Sequence, residues 1–411
     1  MLFIFKLFDE EILKPLIQTR KNQKFVRLHL DATGGLVEKP YANSPNVVNH
    51  SIILPIKTNP KNIESELIPV AELITCNQTS LNIEIFLRKL IAAVKRRTKV
   101  YENLSDYIII DCSFAEMNAI TNCYGLKICE YLNILFKASE EKSLDSLDKI
   151  SIIGWCSSHF TKIVVKDVKA AYPSKAHSKL RGLIVELVVE LMDIKSFEEQ
   201  DSFIKNILIL LKKENVDEEV LRAEVSLSVH FQDSEIDENS DEIDELEFES
   251  EESKTLYKSS PFFQKYSTYF DSISESESGP PNKFFNQEFG KIVLKKYVAF
   301  IPFFGGPYMR LDHFKTRPNN GAVERFFGLE KKDNKLKHFG VLKPERIGNF
   351  IRNRKKKLEI IKKKVRIQLH SKCLVIKAAE EIPEDSQDNW KNRNNTCYHS
   401  KKRVTEFFVK D

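Results

Sequence analysis

Phe25-Val-Arg-Leu-His-Leu-Asp-Ala-Thr-Gly-Gly35 is the stretch on which the fold turns. Val26, Leu28 and Leu30 alternate with Arg27 and His29, the two-residue period of a half-buried β-strand, and the strand is expected to end at Asp31. Two further apolar runs, 51–56 and 68–75, read as strands that continue into a meander. Pro55, which lacks a backbone N–H, places the first of them at a sheet edge or stops it there.

From Leu81 the spacing changes. Leu81, Ile83, Phe86, Leu87, Leu90, Ile91 and Val94 recur at helical intervals, with Ser80 as the expected N-cap and Lys95-Arg-Arg97 in the last turn, where cations suit the helix dipole. Tyr107-Ile-Ile-Ile110 is apolar at every position, as in a central strand covered on both faces, and it runs into Asp111. Helical patterning follows around 115–136 and again from Leu180. Residues 233–252 are almost entirely Asp, Glu and Ser, and Ser272 to Pro281 is rich in Ser, Glu, Gly and Pro; both read as mobile loops. An apolar and aromatic run, 292–304, is broken by Gly305-Gly-Pro307, and Asn319-Asn-Gly321 precedes a helix beginning Ala322-Val-Glu324. Three strands, a helix, a strand and many helices make an α/β core with a mainly helical insertion, and no internal repeat is found.

A chain of 411 residues, 42% hydrophobic, is long enough to bury a large core. The formal charge of +5 conceals an acidic stretch near residue 240 and a basic one after residue 343. Seven scattered cysteines with no CxxC pair point to a reduced, intracellular protein. The apolar opening Met1-Leu-Phe-Ile-Phe-Lys-Leu-Phe8 is too short to span a bilayer and reads as the start of a packed helix, so no membrane is expected.

Asp31 and Asp111 each follow an apolar strand, where open α/β sheets place their ligands. Two such carboxylates can share Mg²⁺ (or Mn²⁺), a hard cation suited to phosphodiester chemistry. An acid at a strand end is also an ordinary turn former or helix cap, so spacing alone does not decide between the two.

The order of four motifs carries further weight: Leu30-Asp-Ala-Thr-Gly-Gly-Leu-Val37, Asp111-Cys-Ser-Phe-Ala115, Cys156-Ser-Ser-His159 and Asn320-Gly-Ala-Val-Glu-Arg-Phe326. Over roughly residues 25–355 the chain resembles the Mutator-like DNA transposases of animal genomes. The resemblance implies a ribonuclease-H-like mixed sheet flanked by helices, with Asp31, Asp111 and Glu324 as the catalytic, metal-holding triad and Cys156 and His159 as a CxxH element beside it. It implies divalent-metal-dependent cleavage and strand transfer on double-stranded DNA, a nuclear location, and room for a homodimer. Glu324 sits in a first helical turn, where an acid also complements the dipole, and Glu330 is a further acid without the matching motif.

The implied organisation is a helical lead-in (1–22), the first part of the core (23–160), a helical insertion (161–230), an acidic and Ser-rich linker (231–290), the closing part of the core (291–370) and a tail (371–411). Arg352, Arg354, Lys355, Lys356, Lys357, Lys362, Lys363 and Lys364 surround Leu358, Ile360 and Ile361, a pattern that suits phosphate tracking and equally a solvated face or a nuclear import signal. The acidic segment 233–252 reads as a solvated loop, or as a DNA mimic shielding that run. Zinc is not expected, because Cys156 and His159 would need His370 and Cys373 to complete a site and no paired cysteines begin one. Two alternatives stand beside the transposase reading. One is a domesticated or truncated copy that binds DNA or a partner without cutting, since no zinc-ligand module precedes Asp31. The other is an actin-like kinase using Asp31–Gly35 as a phosphate turn, against which only 13 glycines and no second glycine-rich loop are found.

Overall fold

The computed structural model describes residues 4–7, 10–22, 25–34, 46–56, 66–76, 78–98, 103–144, 147, 149–228, 255–275, 278–309, 317 and 319–333. All of them except Glu66 belong to one compact unit made of 1–56 and 67–348. Its centre is a six-stranded mixed sheet of β1 (Ile4–Leu7), β2 (Arg27–Gly34), β3 (Val48–Ile56), β4 (Glu66–Thr75), β5 (Tyr107–Ile110) and β6 (Ile152–Trp155), in the order β1-β4-β3-β2-β5-β6. β3 runs antiparallel to β2, with Asp31 opposite Ser51, and β1 antiparallel to β4. β5 lies parallel to β2 and β6 parallel to β5.

Parallel neighbours need long crossovers, and helices supply them. α2 (Ser80–Thr98) joins β4 to β5, and α3 (Phe114–Cys123) and α4 (Ile128–Glu140) join β5 to β6. Ser113 caps α3 by accepting from the Glu116 N–H, and Gly125, at φ 72°, takes the left-handed turn that splits the expected 115–136 helix in two. The consequence for function is that the carboxyl ends of β2, β5 and β6 open on the same edge of the sheet.

Several sequence expectations change. β2 does not end at Asp31 but continues in register to Gly34 opposite Val48, and both of its faces are covered: Leu28 and Leu30 on one, His29 and Asp31 on the other. Helix α11 (Gly321–Asp333) lies against β2 and β3, burying Val323, Phe326 and Phe327 on Ile53, which is why the strand is not half-buried. Pro55 sits in an interior strand, past the last β2 partner at Ile53, so its missing N–H interrupts no bond to β2. Ser80 is the first residue of α2 and Thr79 is its N-cap, the Thr79 carbonyl accepting from the Asn82 and Ile83 N–H groups. The lead-in contains strand β1 as well as helix α1 (Glu10–Asn22).

β6 and the first turn of α5 (Ser157–Ala171) form where no element is expected, while the rest of α5 falls within the expected helical insertion. Beyond them lie α6 (Ser178–Glu190), α7 (Phe197–Lys212), α8 (Glu218–Ser228), α9 (Pro261–Ser272) and α10 (Gln287–Ile292). The stretch 231–290 is therefore not linker throughout: α9 is capped by Ser260 and buries Phe262, Tyr266 and Phe270. The 278–282 segment is held by backbone bonds from Val216 N–H to Pro280 and from Asn282 N–H to Glu214, both 2.8 Å. Residues 229–254, and with them the acidic segment, lie outside the described residues.

The run 292–304 folds as a π turn followed by 3-10 turns, and it supplies an aromatic cushion for the sheet. Trp155 is fully buried against Phe303 (5.5 Å between ring centres) and Phe304 (5.9 Å), and Phe160 of α5 stacks on Phe304 at 4.1 Å. β6 and the start of α5 are thus anchored from below, which sets where Cys156 and His159 stand. No helix among the described residues is long and apolar enough to cross a membrane.

Candidate metal centre

Asp31 and Asp111 meet because β2 and β5 are parallel neighbours: one acid lies within β2, the other directly follows β5. Their carboxyls share a hydrogen bond, and the Asp31 Oδ1 also accepts from the Ala32 N–H at 2.6 Å. Burial, then the Asp111 charge and hydrogen bond, then the charge of Glu116 hold the Asp31 carboxyl well above the usual carboxylate range. Asp111 moves the other way. Burial opposes its charge, but His159, the proton of Asp31 and Asn320 together outweigh burial and lower it. Without a cation, the two carboxyls are thus driven apart, Asp31 upward and Asp111 downward.

Asn320 ties this pair to the helix that follows. It is the N-cap of α11, since its carbonyl accepts from the Val323 (2.8 Å) and Glu324 (3.0 Å) N–H groups. Its side chain does not cap the helix in the usual way. Nδ2 donates to Asp111 Oδ1, and Oδ1 lies 3.3 Å from His29 Nδ1. A carboxylate only accepts, so the amide must present Nδ2 to Asp111 and its oxygen to His29, which fixes the His29 proton on Nδ1. Burial, then the charge of Arg27, push His29 down to about 3 despite the Asn320 contact, so this histidine is neutral. The Asn320 backbone N–H points to the Cys156 Sγ at 3.2 Å.

α5 brings the third side of the site. Cys156 is its N-cap and is fully buried, and His159 is one turn further along the same face. His159 Nδ1 lies 3.0 Å from Asp111 Oδ1. Contact with the Asp111 carboxylate, then with Cys156, pushes the imidazole up to about 10 against the opposing effect of burial. Asp111, Cys156 and His159 offer ligand atoms that all lie within 4.8 Å of one another. On the opposite side, Glu116 of α3 is buried beside Asp31 and lies 3.4 Å from His50 Nδ1.

Comparison with protein families, curated proteins and solved structures finds no match.

The sequence-derived residues divide into three groups. Asp31, Asp111, Cys156 and His159 converge on one sheet edge. Glu324 is exposed on the first turn of α11, and among the described residues no hydrogen bond or ion pair joins it to either aspartate. It stands four positions after Asn320, hence about one turn, or ~5.4 Å, along the helix from the residue that touches Asp111. Arg352, Arg354, Lys355, Lys356, Lys357, Lys362, Lys363 and Lys364, with His370, Cys373 and the Glu330 side chain, lie outside the described residues. Of the stretch read as a phosphate turn, Asp31 to Gly34 are ladder residues opposite Ser51 to Val48, and Gly35 lies outside the described residues.

Asn320, His29, Glu116 and His50 are parts of the site that sequence reading missed. Asn320 has a visible signal, its place in the Asn-Gly-Ala-Val-Glu motif, which by itself marks only a helix start. Alternation alone puts His29 on the face of the strand opposite Leu28 and Leu30.

Proposed function

We propose that the chain is a ribonuclease-H-like, divalent-metal-dependent enzyme of the Mutator-like transposase type, acting on double-stranded DNA in the nucleus. The observation that carries the reading is the carboxyl-to-carboxyl meeting of Asp31, on the first core strand, with Asp111, after the fourth. The order β4-β3-β2-β5-β6, antiparallel across β2 and β3 and parallel across β2, β5 and β6, is compatible with that fold. A helical stretch then separates Asp111 from Glu324, as the resemblance implies.

The donor set fits a hard cation. The buried Asp31 carboxyl and the partly exposed Asp111 carboxyl disfavour each other's charge, and with a third acid, Glu116, alongside they form a site that a divalent ion would neutralise. Asp31 and Asp111 would hold Mg²⁺ or Mn²⁺, with Glu324 completing the set from α11. When bound, such an ion activates the attacking oxygen and steadies the leaving oxygen of a phosphodiester. The chain's own groups position the aspartates: Asn320 orients Asp111, His159 balances its charge, and the Ala32 N–H holds the Asp31 carboxyl.

The test is nicking of duplex DNA by the purified chain with Mg²⁺ or Mn²⁺, beside Asp31→Asn, Asp111→Asn and Glu324→Gln. Metal-dependent cleavage abolished by both aspartate variants, and at least strongly reduced by Glu324→Gln, is expected. A wild type that binds DNA and never cuts it would sink the catalytic reading in favour of a domesticated protein.

A further inference from the structure

We propose that Asp111, Cys156 and His159 form a second, thiolate-containing site for a divalent cation of the Zn²⁺ class, sharing Asp111 with the aspartate pair. The three donors come from adjacent parallel strands. Asp111 follows β5, Cys156 follows β6, and the Cys156 N–H bonds to the Ile110 carbonyl at 2.8 Å, so the two strand ends are locked side by side. His159 joins them because position three of the α5 first turn stacks over its N-cap.

The donors are close enough to close on one ion. Tetrahedral zinc with bonds of ~2.0–2.3 Å places its ligand atoms roughly 3.5 Å apart, and these lie within 4.8 Å of one another. His159 Nδ1 is buried and lies 3.0 Å from Asp111 Oδ1. The His159 imidazole therefore stands in contact with both the Asp111 carboxylate and the Cys156 sulfur, the position from which all three groups face one point. The surrounding bonds are those that orient metal ligands: Asn320 Nδ2 holds Asp111, and the Asn320 backbone N–H points to the Cys156 sulfur.

Carboxylate, imidazole and thiolate together select the borderline and soft cations and disfavour Mg²⁺. Three protein ligands leave one position open. The sequence offers His370 and Cys373 as further donors to Cys156 and His159; the third donor instead comes from Asp111, 45 positions before Cys156. The site itself does not depend on the transposase reading. Its consequence, that a Zn²⁺-class ion competes with the hard ion for Asp111, rests on that reading.

The experiment is titration of the full, reduced chain with Co²⁺ or Cd²⁺, following the thiolate-to-metal charge-transfer absorption. One equivalent should saturate the band. Cys156→Ser should remove it, His159→Gln should weaken binding at least tenfold, and Asn320→Ala, which leaves all three ligands in place, should weaken it by about 10- to 100-fold. Thermal melts by circular dichroism identify any variant that has lost the fold, and the wild type and the partly exposed His159→Gln keep the test open if Cys156→Ser does. Asp31→Asn should keep the band while losing nicking, so failure of the DNA-cutting reading and failure of this site are told apart. A band that survives in folded Cys156→Ser, or a folded wild type with no thiolate band, overturns the assignment.

Discussion

Replacing Asn320 by alanine removes two side-chain interactions at once, one part-buried with Asp111 and one buried with His29. The bond to Asp111 is to a charged group, worth ~1.5–3 kcal/mol net, and the His29 Nδ1–H would be left buried without its acceptor, at a cost of ~1–3 kcal/mol. The two costs share a site and are not fully additive, so a loss of about 3–5 kcal/mol is expected. In a unit of this size, ~1 kcal/mol shifts the melting temperature by about 2 °C, which gives a fall of roughly 6–10 °C. The assay is thermal unfolding with EDTA, followed by circular dichroism. Asn319→Ala is the control: its side chain is exposed and accepts only from the Gly321 N–H at 3.1 Å, so ~1 kcal/mol or less should be lost. If Asn320→Ala melts within about 2 °C of the wild type, or if the two variants are alike, Asn320 is an ordinary helix cap and the clamp on Asp111 does not exist.

Asp31→Asn should stabilise the metal-free protein. The Asp31 carboxyl is raised in the folded state, so its contribution is fully present below the ordinary carboxylate pKa and is lost as pH rises through the folded value. The gap between wild type and variant in EDTA should therefore widen as pH rises above the ordinary carboxylate value, and a gap that stays constant over that rise would count against a raised Asp31 carboxyl. Gly154→Ala should be poorly tolerated, since a Cβ there would stand 1.8 Å from the Tyr107 hydroxyl and 2.3 Å from its ring carbon. A cost of ~1–3 kcal/mol by urea unfolding is expected, only partly relieved by Tyr107→Phe; full relief would show the ring itself to be unconstrained.

Much of this site was open to sequence reading because its parts are local. An apolar run of four, Tyr107–Ile110, identifies a strand covered on both faces, and the acid after it follows directly. Other parts were hidden for equally local reasons. β6 is only four residues long and includes a glycine, too short to display a period. The helix α9 was masked by its neighbours' composition, although Ser260-Pro261 is a helix-start signal. Alternation placed His29 on a wet face because period two reports which residues share a side, not whether something covers it. The cover is α11, and nothing near His29 announces a helix nearly three hundred residues away.

By itself, then, the sequence determined the strands that carry Asp31 and Asp111, a meander followed by a helix and a buried strand, and the three-residue spacing of Cys156 and His159. Tertiary structure decided which of these meet. Asn320 reaches His29 across 291 positions, Asp111 across 209 and Cys156 across 164. Side-chain periodicity arises from backbone geometry over a few residues and holds no record of such distant partners. The choice of the Asn320 side chain between capping its own helix and binding Asp111 was made by the packing of Val323, Phe326 and Phe327 on Ile53, which seats that helix over the sheet.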